Sequence, residues 1–178
     1  MEQLLRNFFL FLSKNRRLTH LAKKHGLKFG AGRFVAGATL ESALDTIEEL
    51  NAQGFSVTID HLGEFVDRVD EANQMADHCI QAINGIAERK LDSELSLKLT
   101  SMGLDIDRDV AVSNMRRVLE AGKKCGVFVT IDMEDEPHCE VTLDIFKELR
   151  AEYDNVGTVV QAYLYRTVDD IVALHPYH

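Results

Sequence analysis

Four short runs along the chain alternate apolar with polar side chains, and longer runs between them repeat apolar residues every three or four positions. The short runs are FSVTID (55–60), ELSLKLT (94–100), GVFVTID (126–132) and VGTVVQAY (156–163). Period-two alternation bounded by Gly or acidic residues predicts strands. The first long run, from about Glu64 to Lys90, sets Val66, Val69, Met75, Ala76, Cys79, Ile80, Ile83 and Ile86 at helical spacing. The second, from about Asp107 to Lys124, carries Val110, Met115, Val118 and Leu119, with Gly126 available for its exit. The third, from about Pro137 to Tyr153, carries Val141, Ile145, Phe146 and Leu149, and Pro137 suits a first helical turn. Strand starts recur every 30 to 40 residues. That is the length of a βα unit, and successive units joined by right-handed crossovers build a parallel sheet.

Parity within the strands chooses between an open sheet and a barrel. Val57 and Ile59 oppose Ser56, Thr58 and Asp60; Leu95, Leu97 and Leu99 oppose Ser96, Lys98 and Thr100; Val127, Val129 and Ile131 oppose Phe128, Thr130 and Asp132. In the fourth run Gln161 shares parity with Val159 and Tyr163. An open sheet covered on both faces would be apolar on both. One aliphatic face and one polar face, more charged toward the C-terminal ends, instead predict an α/β fold of the (β/α)8 TIM-barrel type, whose chemistry sits at the C-terminal mouth. About four βα units are present, a half-barrel over residues 51–178 preceded by an N-terminal helical segment over 1–50.

Asp60, Lys98, Asp132 and Gln161 are expected to converge at that mouth. A lysine among carboxylates there can lose its proton and form a Schiff base, or stay cationic and hold a substrate carboxylate. Sequence alone leaves both open. Gln161, with donors and an acceptor, suits the edge of a heterocycle such as a flavin. In DMEDEPHC (132–139) the acids after Asp132 share no fixed geometry, so no metal is expected; Glu134 to Glu136 read as N-cap and helix-start charge, and His138 as an exposed first-turn residue. His61 is a candidate base at the first strand's end.

Composition changes the picture little. The 178 residues suffice for one domain with a core, and the net charge is -9. Residues 1–40 hold eight Lys or Arg against Glu2 alone, while the remainder holds twelve against twenty-eight acids. The acidic body argues against nucleic acid as a partner. LLRNFFLFL (4–12) is about half the length of a membrane span and contains Arg6, and no cleavage site follows it. An amphipathic N-terminal helix in a cytoplasmic protein is expected. Cys79, Cys125 and Cys139 lack CxxC spacing, so reduced, buried thiols are expected.

RFVAG (33–37), TIDHLGE (58–64), LSLKLTSMGLDID (95–107), VTIDMED (129–135) and VGTVVQAYLYRT (156–167), in this order, resemble proline dehydrogenase, most closely its monofunctional bacterial form. The resemblance implies a distorted (β/α)8 barrel, FAD, and oxidation of L-proline to 1-pyrroline-5-carboxylate by hydride transfer to the flavin. It also implies electron delivery to a membrane quinone, with peripheral association at the inner face of the membrane. The basic N-terminal segment would suit that surface. Carried over by position, Lys98 resembles the contact to the proline carboxylate and Asp132 the active-site acid that orders the pocket. Met133 resembles a flavin neighbour and Gln161 the residue bonded to the flavin ring.

A full barrel takes roughly 250 residues, and the family's later motifs, including an Arg-containing strand and a helix with paired arginines, do not occur before His178. The expectation is a truncated piece, inactive alone, that self-associates to cover its open sides. Rival readings are a class I aldolase-like Schiff-base barrel using Lys98, a non-catalytic fragment, and a flavin barrel of the methylenetetrahydrofolate reductase type, which the linear motifs fit less well.

Overall fold

In the computed structural model, residues 35–63 and 66–177 are described, together with positions 3 and 6. Arg33 and Phe34 of the RFVAG motif, the expected helix start at Glu64, and all of LLRNFFLFL except Arg6 lie outside the described residues, as does most of the basic segment. The chain divides into two compact units, Met1–Thr46 and Ile47–His178.

Helix α1 (Leu40–Ala52), which begins in the first unit and runs into the second, opens on a reciprocal cap. The Ser42 amide donates to Thr39 Oγ1 at 3.3 Å and the Thr39 amide to Ser42 Oγ at 3.2 Å, so two otherwise orphaned donors are satisfied.

The second unit is strand, helix, strand throughout. Strand β1 (Val57–Asp60) leads to α2 (Val69–Arg89), β2 (Ser93–Leu97) to α3 (Arg108–Cys125), β3 (Val129–Ile131) to a 3-10 turn (Glu136–His138) and α4 (Cys139–Arg150), and β4 (Val156–Thr158) to α5 (Thr167–Leu174). The strands are all parallel in the order β1-β2-β3-β4. This is the topology that repeated βα units dictate. The helix ends follow local chemistry: Asp107 caps α3 by accepting from the Asp109 amide at 2.7 Å, and Gly126 closes it with φ 70°. α2 closes on Lys90 instead, held at φ 54° while its amide bonds Ala87 and Ile86.

The aliphatic parity of the strands forms the core. Leu95, Leu97, Val127, Val129, Ile131 and Val156 are buried, as are Ala76, Cys79, Ile83 and Ile86 of α2, Met115, Val118 and Leu119 of α3, and Ile145, Phe146 and Leu149 of α4. Full burial of one of the larger of these side chains, such as Leu95 or Ile131, is worth about 1.5–3 kcal/mol relative to exposure. On the other face Thr58 and Phe128 are open to solvent, and Thr58 Oγ1 donates to Glu94 Oε1 at 2.9 Å. Gly157 stands beneath Phe128, where a Cβ would come within 2.8 Å of the ring.

Three expectations need correction. The ladder is shorter than the alternation suggested: β2 stops at Leu97, before Lys98, and β4 stops at Thr158, after which 162–166 turn and expose Tyr163. The third helix begins as the 3-10 turn, and its α-helical part starts only at Cys139. Cys125 is half-buried, with Sγ 3.6 Å from Asn84 Oδ1, because it lies on the last turn of α3 where the core ends. Cys79 and Cys139 are free and buried; burial pushes the Cys79 thiol up to about 12 and raises that of Cys139.

Candidate active site

The polar parity gathers at the C-terminal ends of the strands. Lys98, one residue beyond β2, places Nζ 2.9 Å from Asp60 Oδ2 at the end of β1 and 3.2 Å from Asp132 Oδ2 just past β3. The other Asp132 oxygen accepts from Ser96 Oγ at 2.5 Å. Lys98 is 18% exposed at its side chain. Burial lowers the affinity of its amine for a proton, but the hydrogen bond and charge of Asp60, and then of Asp132, outweigh that cost and the net shift is upward. Lys98 is therefore an ammonium, whereas a Schiff-base nucleophile needs the opposite shift.

One layer further out lies a second set of contacts. β2 and β3 pair Leu97 with Ile131, so Lys98 stands opposite Asp132 and, two residues on, Thr100 opposite Glu134. The last backbone bond between these strands runs from the Asp132 amide to the Leu97 carbonyl at 2.9 Å. Beyond it side chains continue the ladder. Glu134 Oε1 accepts from the Thr100 amide at 3.1 Å and its second oxygen from the Thr100 hydroxyl. Both residues are buried, Glu134 at 8% exposure and Thr100 at 0%.

Gln161 joins the same layer from the side of β4. Its amide nitrogen donates to the carbonyls of Met133 at 3.0 Å and Glu134 at 2.9 Å. The Thr167 hydroxyl and the Leu164 amide hold its own carbonyl. Gln161 is thus at the mouth but bonds the β3 loop rather than Lys98 or Asp132. Met133 turns its side chain the other way, into an apolar cluster with Cys139 and Leu143, with Leu164 and Leu174 packed against it.

Two sequence readings fail here. Glu136 does place an acid in the first turn, but Glu134 is no helix cap: its carboxylate is buried against Thr100, and the residue at the N-cap, Asp135, makes no capping bond. Nor is His138 exposed. Its Nε2 lies 2.9 Å from Asp105 Oδ1 and its Nδ1 bonds Asp135, and these two hydrogen bonds, Asp135 first, raise it from 6.5 to about 9. Local sequence favours capping, whereas Thr100, the partner of Glu134, and Asp105, one of the two partners of His138, come from the loop after β2. The usable signal was register: once Lys98 and Asp132 share a pocket, the residues two places beyond each must also face one another.

His61 follows Asp60, but its ring packs against His78 of α2, with centroids 5.1 Å apart. Burial and then the charge of His78 lower its proton affinity against the pull of Asp60. Among the described residues, no group of three or more His, Cys, Asp or Glu side chains could hold a metal ion.

A parallel βα repeat with charged side chains at its strand ends is shared by many enzyme families, and the sequence distinguishes among them. A family model described as proline dehydrogenase matches residues 43–176. The chain belongs to the proline dehydrogenase family. It is 52% identical over 168 residues to proline dehydrogenase 1 of Bacillus subtilis subsp. natto, covering 94% of this chain and 56% of that protein. Identity to proline dehydrogenase 2 of the same organism is 49% over 175 residues, covering 97% and 58%. To proline dehydrogenase of Deinococcus radiodurans it is 34% over 178 residues, covering 97% and 57%. The chain thus spans somewhat over half the length of these relatives. Among solved structures, proline utilization A of Bdellovibrio bacteriovorus, inactivated by N-propargylglycine, superposes with a TM-score of 0.78 at 24% identity, over 90% of this chain and 20% of that one. That likeness concerns fold. The four parallel βα units are part of a barrel of the (β/α)8 type.

Proposed function

We propose that residues 51–178 are the first four βα units of a proline dehydrogenase barrel and carry one side of its site, with residues 1–50 as a helical segment before them. The observation that carries this reading is the Lys98 ammonium set between the carboxylates of Asp60 and Asp132. Among the described residues a cation beside two anions matches an α-amino acid zwitterion, whose carboxylate and ammonium lie a few bonds apart. Lys98 takes the carboxylate of L-proline and Asp132, oriented by Ser96, faces the ring nitrogen. Ion pairing among Lys98, Asp60 and Asp132 keeps these groups oriented for the substrate.

FAD suits the layer above. Gln161 has both donors engaged by main-chain carbonyls, so its side-chain oxygen is the polar atom left to accept from a ring N–H. Met133 takes part through its carbonyl, which holds Gln161. Bound there, FAD would supply the acceptor for the hydride lost as L-proline becomes 1-pyrroline-5-carboxylate, making the whole protein an oxidoreductase that passes electrons to a membrane quinone. Among the described residues no helix is long and apolar enough to cross a membrane. Peripheral contact of a cytoplasmic enzyme with the membrane, through the basic N-terminal segment, would meet such an acceptor.

Among the described residues the sheet has four strands, Thr58 and Phe128 stand exposed on its inner face, and β1 and β4 each have one strand partner. The 178-residue chain alone is therefore expected to bind without turning over, and to self-associate over its exposed apolar side chains Phe128 and Val159 and across those edges. Calorimetric titration of this chain tests the reading. It should bind L-proline, bind pyrrolidine at least tenfold more weakly for want of a carboxylate, and lose the preference in Lys98→Met. Equal affinity for both ligands would overturn the zwitterion site, and flavin bleaching by L-proline would overturn the claim of inactivity.

A further inference from the structure

We infer that Glu134 is a positioning residue: it clasps the loops after β2 and β3 so that Lys98 and Asp132 are held in register, while its main chain seats Gln161. The argument starts from the turn that follows Lys98. The Ser101 amide and hydroxyl both bond the Lys98 carbonyl, at 3.1 and 2.6 Å, and the Met102 and Leu104 amides both bond the Leu99 carbonyl at 3.0 Å. The Thr100 amide is left pointing out of the turn. It meets Glu134, and so does the Thr100 hydroxyl. On the far side, Asn114 of α3 donates to the Met102 carbonyl at 3.1 Å, so the turn is anchored at both ends.

Burying a carboxylate against a neutral amide and hydroxyl is costly compared with leaving it in water. Among the described residues Glu134 has no cationic partner. Its gain is geometric. Lys98 and Thr100 lie two residues apart on one loop, as do Asp132 and Glu134 on the other, so fixing the second pair fixes the first. Both loops lie beyond the last backbone bond of the β2–β3 ladder, where side-chain bonds alone tie β2 to β3, and the clasp adds two to those that Lys98 and Ser96 make with Asp132. The Glu134 carbonyl meanwhile accepts from Gln161, which links the third loop to the same point.

The inference rests on the reading of Lys98 as the carboxylate-binding cation, but its test needs neither proline nor flavin. Competitive amine labelling of the chain, read at Lys98 by mass spectrometry across pH, reports how well Lys98 is held against its acids. Glu134→Ala should move the Lys98 profile down by about 0.5–1 pH unit. Thr100→Val, which removes one of the two bonds, should move it the same way by less. Glu134→Gln can still accept from the Thr100 amide and donate to its hydroxyl, and should restore the parent profile. A folded Glu134→Ala chain with the parent profile overturns the clasp. So does a Glu134→Gln chain shifted as far as Glu134→Ala, because charge rather than geometry would then be responsible. Should Glu134→Ala fail to fold, an unshifted Thr100→Val profile overturns it equally. A failed proline titration with the expected labelling shifts would count against the substrate reading alone.

Discussion

The two faces of the sheet are built on opposite terms. On the helix side Leu95, Val129 and Ile131 are buried at 0–1% exposure among apolar neighbours, and their geometry is redundant because many contacts share the work. On the mouth side Lys98, Asp132, Thr100 and Glu134 rely on a few directed bonds. The same strands serve both. Alternation lets one residue contribute to stability and its neighbour to the site, so the two properties can be perturbed almost independently.

Mutations should expose that difference. The largest effect is expected on the helix side, where Ile131→Ala should cost about 3 kcal/mol of unfolding free energy. Urea denaturation would measure it, and a loss below about 1 kcal/mol would mean that the outer face is not the core. A smaller, pH-dependent effect belongs to the mouth. His138 is raised from 6.5 to about 9 by Asp135 and Asp105, so its contribution is complete below pH 6.5 and disappears as pH rises toward 9. Because both acids are largely exposed, the loss should be on the order of 1 kcal/mol. Stability measured between those pH values should fall in the parent chain and stay flatter in His138→Ala. Smallest of all, Phe128→Ser with Val159→Ser should change monomer stability by less than about 0.5 kcal/mol, since both side chains are exposed already. Sedimentation should show weaker self-association in this variant; unchanged association would place the contact elsewhere.

Much of this was written in local pattern. The parity of Val129, Thr130, Ile131 and Asp132 told which side each would face, and Asp60, Lys98 and Asp132 meet as that parity requires. Local pattern could not show where strands end. Lys98 continues the alternation of β2 yet lies past it, because the chain turns as soon as Ser101 can bond the Lys98 carbonyl. Nor could it reveal Glu134 or His138, whose partners Thr100 and Asp105 lie more than thirty positions away. An acid before a proline looks like a cap until the opposing loop is known.

The rungs that carry the ladder past its backbone bonds have a consequence for how the loops can vary in length. A residue inserted between Leu97 and Thr100 would move Lys98 or Thr100 out of step with the opposite loop, and one inserted between Ile131 and Glu134 would do the same from the other side. Neither change is repaired by a compensating change of residue type. The two loops must lengthen together or not at all, which makes them a single unit for grafting into another barrel.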